Sequence, residues 1–258
     1  MEAERAYYGR HQAFNGQYRL VQTIPCDRLL SASFGTWDIV RAATQGVATI
    51  NDDPTRKMMA GNRNRGRDSI YQIKVTLEGI HPPIWRRLRV RGRMYLDDLH
   101  DVLQIAMGWE ECHLHEYERG TIRYGDPRWP DNEDVEDERT TRLHTVLPGA
   151  EMDMIYIYDI GDDWRHEIFV EEIQPHEKSA VLPVCLDGRR ACPPEDVGGT
   201  DGYVEHLRVL ADPSDPEHQE ALDWRGEYDP EAFDLEQVNR TLRGIRAWRK
   251  LRDTGGRE

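Results

Sequence analysis

The sequence has no long hydrophobic run and few cysteines. None of its apolar stretches approaches about 18 residues, the length that predicts a transmembrane helix. Residues 1–12 lack the apolar segment of a secretory signal peptide. The 4 cysteines do not suffice for a disulfide framework in a chain of 258 residues. We therefore expect a protein of the reducing cytoplasm that has no membrane association.

Familiar catalytic motifs are absent as well. The chain contains no Walker A loop, no dinucleotide-binding fingerprint, no G-x-S-x-G elbow and no H-E-x-x-H zinc motif. No internal repeat is evident. These absences lower the expectation of an enzyme without excluding one, because active sites carried by loops often have no short signature.

Charge is strongly and unevenly distributed along the chain. The formal net charge is -14. Residues 1–69 carry ten Lys and Arg against seven Asp and Glu, a formal +3, so the remainder carries -17. Nucleic-acid binding relies on a basic face that contacts phosphates, and an acidic balance disfavours it. A local basic patch remains compatible with this composition.

A junction divides the chain into two predicted parts. Residues 61–68 read GNRNRGRD, without an apolar side chain, and this composition is typical of a linker. We predict that residues 1–68 form a loosely ordered or partner-binding extension, with a short strand at 18–24 and a short helix at 36–43. Residues 69–258 are predicted to form the main domain.

Apolar periodicity predicts an α+β fold for the main domain. Residues 71–77 and 84–91 alternate in the manner of strands with one buried face. A helical stripe follows over 96–107. Further strands are predicted at 114–124, 154–158 and 164–173, and further helices at 203–211, at 217–224 and after Asp234. Since strands and helices do not alternate regularly, we expect a mainly antiparallel sheet with helices packed on one side, plus a helical C-terminal segment.

Five sequence blocks resemble one known family. In chain order they are IYQIKVTLEGIHPPIWRRLRV (70–90), AMGWEECHLHEYERGTIRYGDP (106–127), YDIGDDWRHEI (158–168), CLDGRRACPPEDVGGTDGY (185–203) and EYDPEAFDLEQVNRTL (227–242). Together they are similar to the plasmid pRiA4b ORF-3-like family over about residues 69–242. The resemblance implies an α+β domain found on plasmids, in insertion elements as a passenger gene, and as free-standing bacterial proteins. It implies no particular biochemical activity.

The sequence departs from the family pattern at two places. The usual aromatic-Gly-Asp-Gly-Trp turn is here Ile160-Gly161-Asp162-Asp163-Trp164. Val197 stands where many members have a cysteine after the Pro-Pro-Glu-Asp run. If that cysteine is a metal ligand in relatives, a site built on it is one ligand short here.

Two histidines form the first candidate for a metal site. His113 and His115 share one face if residues 113–119 form a strand. Imidazoles about 7 Å apart along a strand can share a metal ion with ligands from elsewhere in the chain. The alternative is a polar sheet face on which each histidine bonds to a neighbouring carboxylate.

An acidic turn forms the second candidate. Asp159 and Asp162 flank a glycine, and Trp164 and His166 follow on one face of the next strand. Carboxylates beside an imidazole suit acid–base chemistry or a divalent cation. The alternative is a hairpin in which Gly161 supplies the unusual backbone angles and Asp162 accepts hydrogen bonds from turn amides.

Two cysteines form the third candidate. Six residues separate Cys185 from Cys192, a looser spacing than that of most structural zinc sites. Together with His113, His115 or His166 they would complete a zinc site, which makes zinc the only cofactor that we predict. The neighbouring Arg189 and Arg190 are candidate binding residues, which would also lower the pKa of an inward-facing thiol. The alternative is a pair of small apolar anchors.

A basic strand is the fourth candidate. Trp85, Arg87 and Arg89 alternate onto one face, and an aromatic ring beside arginines suits phosphate or single-stranded nucleic acid. The alternative is a solvated face paired with the chain's own carboxylates.

Three functions remain open at this point. The leading prediction is a non-catalytic accessory protein of a bacterial mobile element or host, which contacts a protein partner through its acidic surface. The alternative is a metal-binding domain or metal-dependent enzyme that uses the His/Asp/Cys residues. The second alternative is weak nucleic-acid binding through the arginine strand.

Overall fold

The computed structural model describes residues 69–254, apart from 130, 131, 133, 176 and 178. The predicted extension 1–68, with its strand at 18–24 and helix at 36–43, lies outside the described residues. Along the described chain the strands are β1 (Ser69–Leu77), β2 (Trp85–Arg91), β3 (His115–Arg119), β4 (Ile122–Gly125), β5 (Glu136–Asp137), β6 (Asp153–Tyr158), β7 (Trp164–Pro175) and β8 (Val184–Arg189). The helices are α1 (Leu96–Met107), α2 (Leu143–Val146), α3 (Gly199–Ala211), α4 (His218–Arg225) and α5 (Leu235–Thr254).

The eight strands form one sheet in the order β5-β4-β3-β6-β7-β1-β2-β8. The prediction of an α+β fold is confirmed. The sheet is mixed, however, because β4 pairs with β5 in parallel while the other described pairings are antiparallel. This corrects the expectation of a mainly antiparallel sheet. The parallel pair arises because the acidic stretch after β4 returns along the sheet edge, and charged loop residues carry no periodicity that predicts such a strand.

One face of the sheet carries the hydrophobic core. The alternating residues Tyr71, Ile73 and Val75 of β1 are fully buried, as the period of two predicts. The stripe of α1, including Leu99 and Leu103, belongs to the same core cluster. None of the helices that lie within the described chain is long and apolar enough to cross a membrane.

The carboxyl-terminal helix α5 begins where the sequence predicted. The amide N–H of Gln237 donates a 2.8 Å hydrogen bond to Oδ1 of Asp234, so Asp234 caps the helix. Leu235, Val238 and Leu242 pack against the core cluster. Capping and packing together direct α5 toward α1 and β8.

Helix α3 begins earlier than predicted, at Gly199 rather than Tyr203. Its first turn is rich in glycine, which is typical of a loop. The glycines are required by close packing instead: a Cβ on Gly202 would lie 2.0 Å from the carbonyl oxygen of Val197. Tertiary contact therefore overrides the local preference of these residues.

Arg86 is a buried cation that the strand pattern did not predict. It lies on the core face of β2 between Ile84 and Leu88, and it is only 2% exposed. The guanidinium stacks on the ring of Phe233 at 4.3 Å. Its N–H groups donate hydrogen bonds to the carbonyl oxygens of Trp85, Ala106, Met107, Arg189 and Arg190. Arg86 thereby joins the end of α1 to the end of β8, from which two loops run to the candidate site.

Candidate metal centre

Three loops meet at one end of the sheet and bring four ionisable side chains together. Residues 108–114 follow α1, residues 159–163 join β6 to β7, and residues 190–198 join β8 to α3. His113 Nε2 lies 3.6 Å from Asp159 Oδ2, 3.7 Å from Glu195 Oε2 and 3.3 Å from Asp196 Oδ1. We call these four residues the centre. Ligand atoms of His113, Asp159 and Asp196 all lie within 4.8 Å of one another.

The four side chains of the centre differ in solvent exposure, from the buried Glu195 to the exposed Asp196. The side chain of Glu195 is 4% exposed and that of Asp159 is 12% exposed. His113 is 25% exposed and Asp196 is 43% exposed. A ligand bound among them would therefore meet solvent on the side of Asp196.

Two buried atoms of the centre have no hydrogen-bond partner. They are Nε2 of His113 and Oε2 of Glu195. Although Asp196 comes within 3.3 Å of the His113 nitrogen, the pair lacks hydrogen-bond geometry. Buried polar atoms are normally paired, since leaving one unpaired costs about 1–3 kcal/mol. The two unpaired atoms lie 3.7 Å from one another.

In each buried carboxylate, one of the two oxygens accepts hydrogen bonds from the protein. Oε1 of Glu195 accepts hydrogen bonds from the amide of Glu110 at 2.8 Å and from the hydroxyl of Tyr158 at 3.0 Å. Oδ1 of Asp159 accepts from the amides of Gly161 at 2.9 Å and Asp162 at 3.3 Å. Each side chain therefore presents its second oxygen to His113.

Burial makes the negative charge of the centre unfavourable. Removal from water raises the pKa of the Glu195 carboxyl and, together with the nearby Asp162, that of the Asp159 carboxyl. Contact with Asp196 is the main cause that raises the pKa of His113, and burial opposes it. A bound cation would stabilise the ionised carboxylates that burial disfavours.

Unusual backbone geometry is concentrated in the same loops. Six described non-glycine residues have φ between +52° and +67°. Five of them lie in the three loops: Glu111, Asp159, Asp163, Arg190 and Asp196. Such conformations cost of order 1–3 kcal/mol each and are often retained at functional sites.

The predicted turn residue Asp162 has a different contact from the one expected. Asp159, not Asp162, accepts hydrogen bonds from the turn amides. Oδ2 of Asp162 instead accepts a 3.0 Å hydrogen bond from the amide of Gly198. Asp162 therefore connects the β6–β7 turn to the loop that carries Glu195 and Asp196.

The predicted ligand His115 lies outside the centre. Its Nε2 is 2.9 Å from Oε2 of Glu138, and its ring stacks on that of His100 at 3.5 Å. His100, Asp101 and Glu111 form a second group with ligand atoms within 4.8 Å of one another. In that group the His100 ring is already bonded to the hydroxyl of Tyr156, and the Glu111 side chain is 66% exposed.

His166 and Trp164 share one strand face, as predicted, but that face is the core. His166 is fully buried, and its Nε2 accepts a 3.1 Å hydrogen bond from Nε1 of Trp109. Burial lowers the pKa of His166 to about 4. Trp164 packs 5.4 Å from the Trp109 ring. Both residues therefore belong to the core, and His166 is not among the ligand atoms of the centre.

The two cysteines belong to neither ligand group. Burial raises the pKa of the Cys185 thiol to about 11 and also raises that of Cys192. Burial thus favours the protonated thiol at both positions of the predicted pair. The backbone N–H and carbonyl of Cys185 bond to the side chain of Asn239, which holds β8 against α5.

The arginine strand is paired with the protein's own groups. Arg87 on β2 makes two hydrogen bonds, of 2.7 and 2.8 Å, to Glu171 on β7, across the intervening strand β1. Arg89 donates a 3.4 Å hydrogen bond to Gln72. The Arg87 guanidinium packs over the Trp85 ring, 5.2 Å from the ring centroid.

The two arginines after β8 differ in their surroundings. Arg190 is 6% exposed and bonds to Glu231 at 2.8 Å, whereas Arg189 is exposed. Arg190 therefore anchors the base of the loop 190–198. The positive charge that lowers the pKa of both cysteine thiols is instead that of the buried Arg86.

Three residues of this arrangement were not predicted as site residues from the sequence: Glu195, Asp196 and Tyr158. The pair Glu195-Asp196 was visible as an acidic dipeptide after Pro193-Pro194, within a block of the family resemblance. The contact with His113 could not be predicted, because the pair is far from His113 in sequence. Tyr158 gave no signal, because a tyrosine at the end of a strand is most simply a core residue.

Comparisons with known proteins identify a family and two similar proteins. A family model described as plasmid pRiA4b ORF-3-like protein matches residues 69–237. The uncharacterized protein y4hQ of Sinorhizobium fredii is 37% identical over 183 residues, 69% of this chain and 93% of that protein. A crystal structure of a protein of unknown function, MM3350 from Methanosarcina mazei Go1, is similar with a TM-score of 0.60 and 34% identity. The match covers 66% of this chain and 97% of that one.

Proposed function

The chain belongs to the plasmid pRiA4b ORF-3-like family, and we propose that its domain binds a divalent cation at the centre formed by His113, Asp159, Glu195 and Asp196. The observation that carries the proposal is Oε2 of Glu195, a buried carboxylate oxygen without a hydrogen-bond partner that faces the imidazole. Isolated buried charge is too costly to keep unless a counter-charge or metal ion compensates it.

The choice of donors supports a cation over a simple ion-pair cluster. One imidazole cannot neutralise three carboxylates, so the centre has excess negative charge even when His113 is protonated. The donor atoms of His113, Asp159 and Asp196 lie within 4.8 Å of one another, and they can all reach one ion at bond lengths of about 2.0–2.2 Å after small side-chain adjustments. Oε2 of Glu195 lies 3.7 Å from the same imidazole nitrogen. Since the rim at Asp196 is exposed, coordination positions on that side remain open to water or a small ligand.

Metal analysis tests this proposal directly. Protein purified without an affinity tag or chelator is expected to contain close to one equivalent of a divalent metal, or to bind one equivalent in calorimetric titration after chelator treatment. Glu195→Gln keeps the shape of the side chain and removes its charge, and should lower the affinity by 10-fold or more. Glu171→Gln, which changes a carboxylate paired with Arg87 on the sheet, is the matched control and should bind like the wild type. A wild-type protein that binds no divalent ion overturns the proposal.

A protein partner remains the role we propose for the acidic surface. It is supported by the formal charge of -17 over residues 70–258 and by the mobile-element setting of the family. In this proposal the protein is a non-catalytic accessory factor of the bacterial cytoplasm. Affinity purification from the native host, with the full chain and with residues 1–68 deleted, should recover one stoichiometric partner. Nucleic-acid binding has less support, because Arg87 is already engaged by Glu171.

A further inference from the structure

The hydrogen bonds inside the centre restrict how its carboxylates can bind an ion, and this inference rests on the proposed cation site. Both oxygens of a carboxylate can bind one metal ion only when both are available. In Glu195 the oxygen Oε1 accepts two hydrogen bonds, and in Asp159 the oxygen Oδ1 does so too. Each of these buried side chains therefore offers a single oxygen.

A limited number of donors favours some cations over others. Ca²⁺ takes 6–8 oxygen ligands and commonly uses a carboxylate through both oxygens. First-row transition ions are satisfied by four to six ligands and bind imidazole nitrogen well. One nitrogen from His113, single oxygens from the two buried carboxylates and a carboxylate oxygen of Asp196 match the second group of ions.

We infer that the centre selects a first-row transition ion such as Zn²⁺ over Ca²⁺, and that the hydroxyl of Tyr158 is a determinant of this selectivity. Tyr158 is fully buried at the end of β6, directly before Asp159. Its hydroxyl donates to Oε1 of Glu195 at 3.0 Å and accepts from the amide of Cys112 at 2.9 Å. The ring lies edge-on to His113, with centroids 5.8 Å apart.

These contacts make Tyr158 a positioning residue that joins all three loops. It is covalently next to Asp159, it bonds the loop of His113 through Cys112, and it bonds the loop of Glu195 through the carboxylate. Loss of the hydroxyl would leave Oε1 with the Glu110 amide alone. Glu195 could then rotate to bind an ion through both oxygens, which would favour Ca²⁺.

Calorimetric titrations of the full-length, metal-free protein with Zn²⁺, Mn²⁺ and Ca²⁺ test the inference. The wild type is expected to bind Zn²⁺ at least about 100-fold more tightly than Ca²⁺. Tyr158→Phe should reduce this ratio by about 10-fold or more, the usual effect of removing a group that orients a metal ligand. Tyr156→Phe is the matched control, since Tyr156 is equally buried in β6 but bonds to His100 and Gln104. It should keep the wild-type ratio.

Each outcome separates this inference from the proposed function. If no ion binds to the wild type, the cation site itself is wrong. If ions bind but Ca²⁺ competes equally with Zn²⁺, or Tyr158→Phe leaves the ratio unchanged, only the selectivity inference fails. Should Tyr158→Phe not fold, a crystal structure of the wild type with Zn²⁺ decides: Glu195 should bind through Oε2 alone, and binding through both oxygens overturns the inference.

Discussion

The hydroxyl of Tyr158 donates a 3.0 Å hydrogen bond to Oε1 of Glu195, and the other oxygen of that carboxylate faces Nε2 of His113 at 3.7 Å. A core tyrosine thus orients a buried acid toward an imidazole on another loop. The hydrogen bonds to Oε1 offset part of the cost of burying a carboxylate that is only 4% exposed.

Ligand binding should stabilise the folded protein. An ion present at 100 times its Kd adds about 2.7 kcal/mol to the free energy of unfolding. For a domain of this size, that corresponds to a rise in Tm of about 5–10 °C. Thermal unfolding with and without a chelator measures the shift, which Glu195→Gln should reduce to about half or less and Glu171→Gln should preserve. An unchanged Tm over a wide range of ion concentrations would contradict the prediction.

Replacement of Arg86 should destabilise the whole domain. Arg86→Met keeps the apolar stem but leaves the carbonyl groups of Ala106, Met107 and Arg190 without their donor. Each hydrogen bond to a charged group contributes about 1.5–3 kcal/mol, so the three bonds sum to about 5–9 kcal/mol. The cost of burying the guanidinium offsets part of this sum, and a net loss of about 3–5 kcal/mol is expected. Urea unfolding monitored by circular dichroism measures it.

The control for Arg86 lies on helix α5. Arg240→Met removes an exposed arginine that bonds to Gln237 on its own helix and lies 4.0 Å from Glu236, and it should change the stability by less than about 0.5 kcal/mol. Equal effects of the two substitutions would show that the buried network has no special importance.

Stability should fall on acidification in a window set by His166. Its pKa is lowered from 6.5 to about 4, so the folded protein keeps the imidazole neutral while the unfolded chain takes up a proton below pH 6.5. The unfolded state therefore binds more protons between pH 6.5 and about 4, and stability decreases as the pH falls through this range. The decrease from this one group is about 3 kcal/mol when fully developed.

A variant isolates that contribution. Denaturant unfolding at pH 7 and pH 4.5, in the presence of a chelator, compares the wild type with His166→Gln. The variant is less stable at pH 7 but should lose less stability on acidification, because Gln does not titrate. Parallel losses in both proteins would assign the pH dependence to other groups.

Gly199 should tolerate no side chain, since α3 approaches the acidic turn closely there. A Cβ on Gly199 would lie 2.7 Å from the carbonyl oxygen of Asp162. Gly199→Ala is expected to destabilise the protein by about 1–3 kcal/mol more than Gly226→Ala and to weaken ion binding. Gly226 is a matched control, because its φ of +74° resembles the +68° of Gly199 but nothing lies within 4 Å of its Cβ position. Equal stability and ion affinity in the two variants would show that the approach of α3 is not restrictive.

Parts of the candidate site were predictable, and others were not. His113 and Asp159 stood out as an imidazole and a carboxylate in polar segments beside strand ends. His115, His166, Cys185 and Cys192 were equally reasonable ligands by residue type. The structure places His115 against Glu138, buries His166 and Cys185 in the core, and leaves the half-buried Cys192 in the loop of Glu195 but outside the group of ligand atoms. Residue type cannot distinguish these environments, because burial depends on which strands become neighbours.

The sequence by itself determined the family, the α+β class, the buried faces of β1 and β2 and the cap of α5. These features depend on local periodicity, on capping chemistry, or on motifs that persist in order along the chain. Only the tertiary structure decided that Glu195 and Asp196 meet His113, that Arg86 is buried, and that β5 pairs in parallel. Those contacts join segments far apart in sequence, and their geometry follows from strand order and loop packing, which no local pattern encodes.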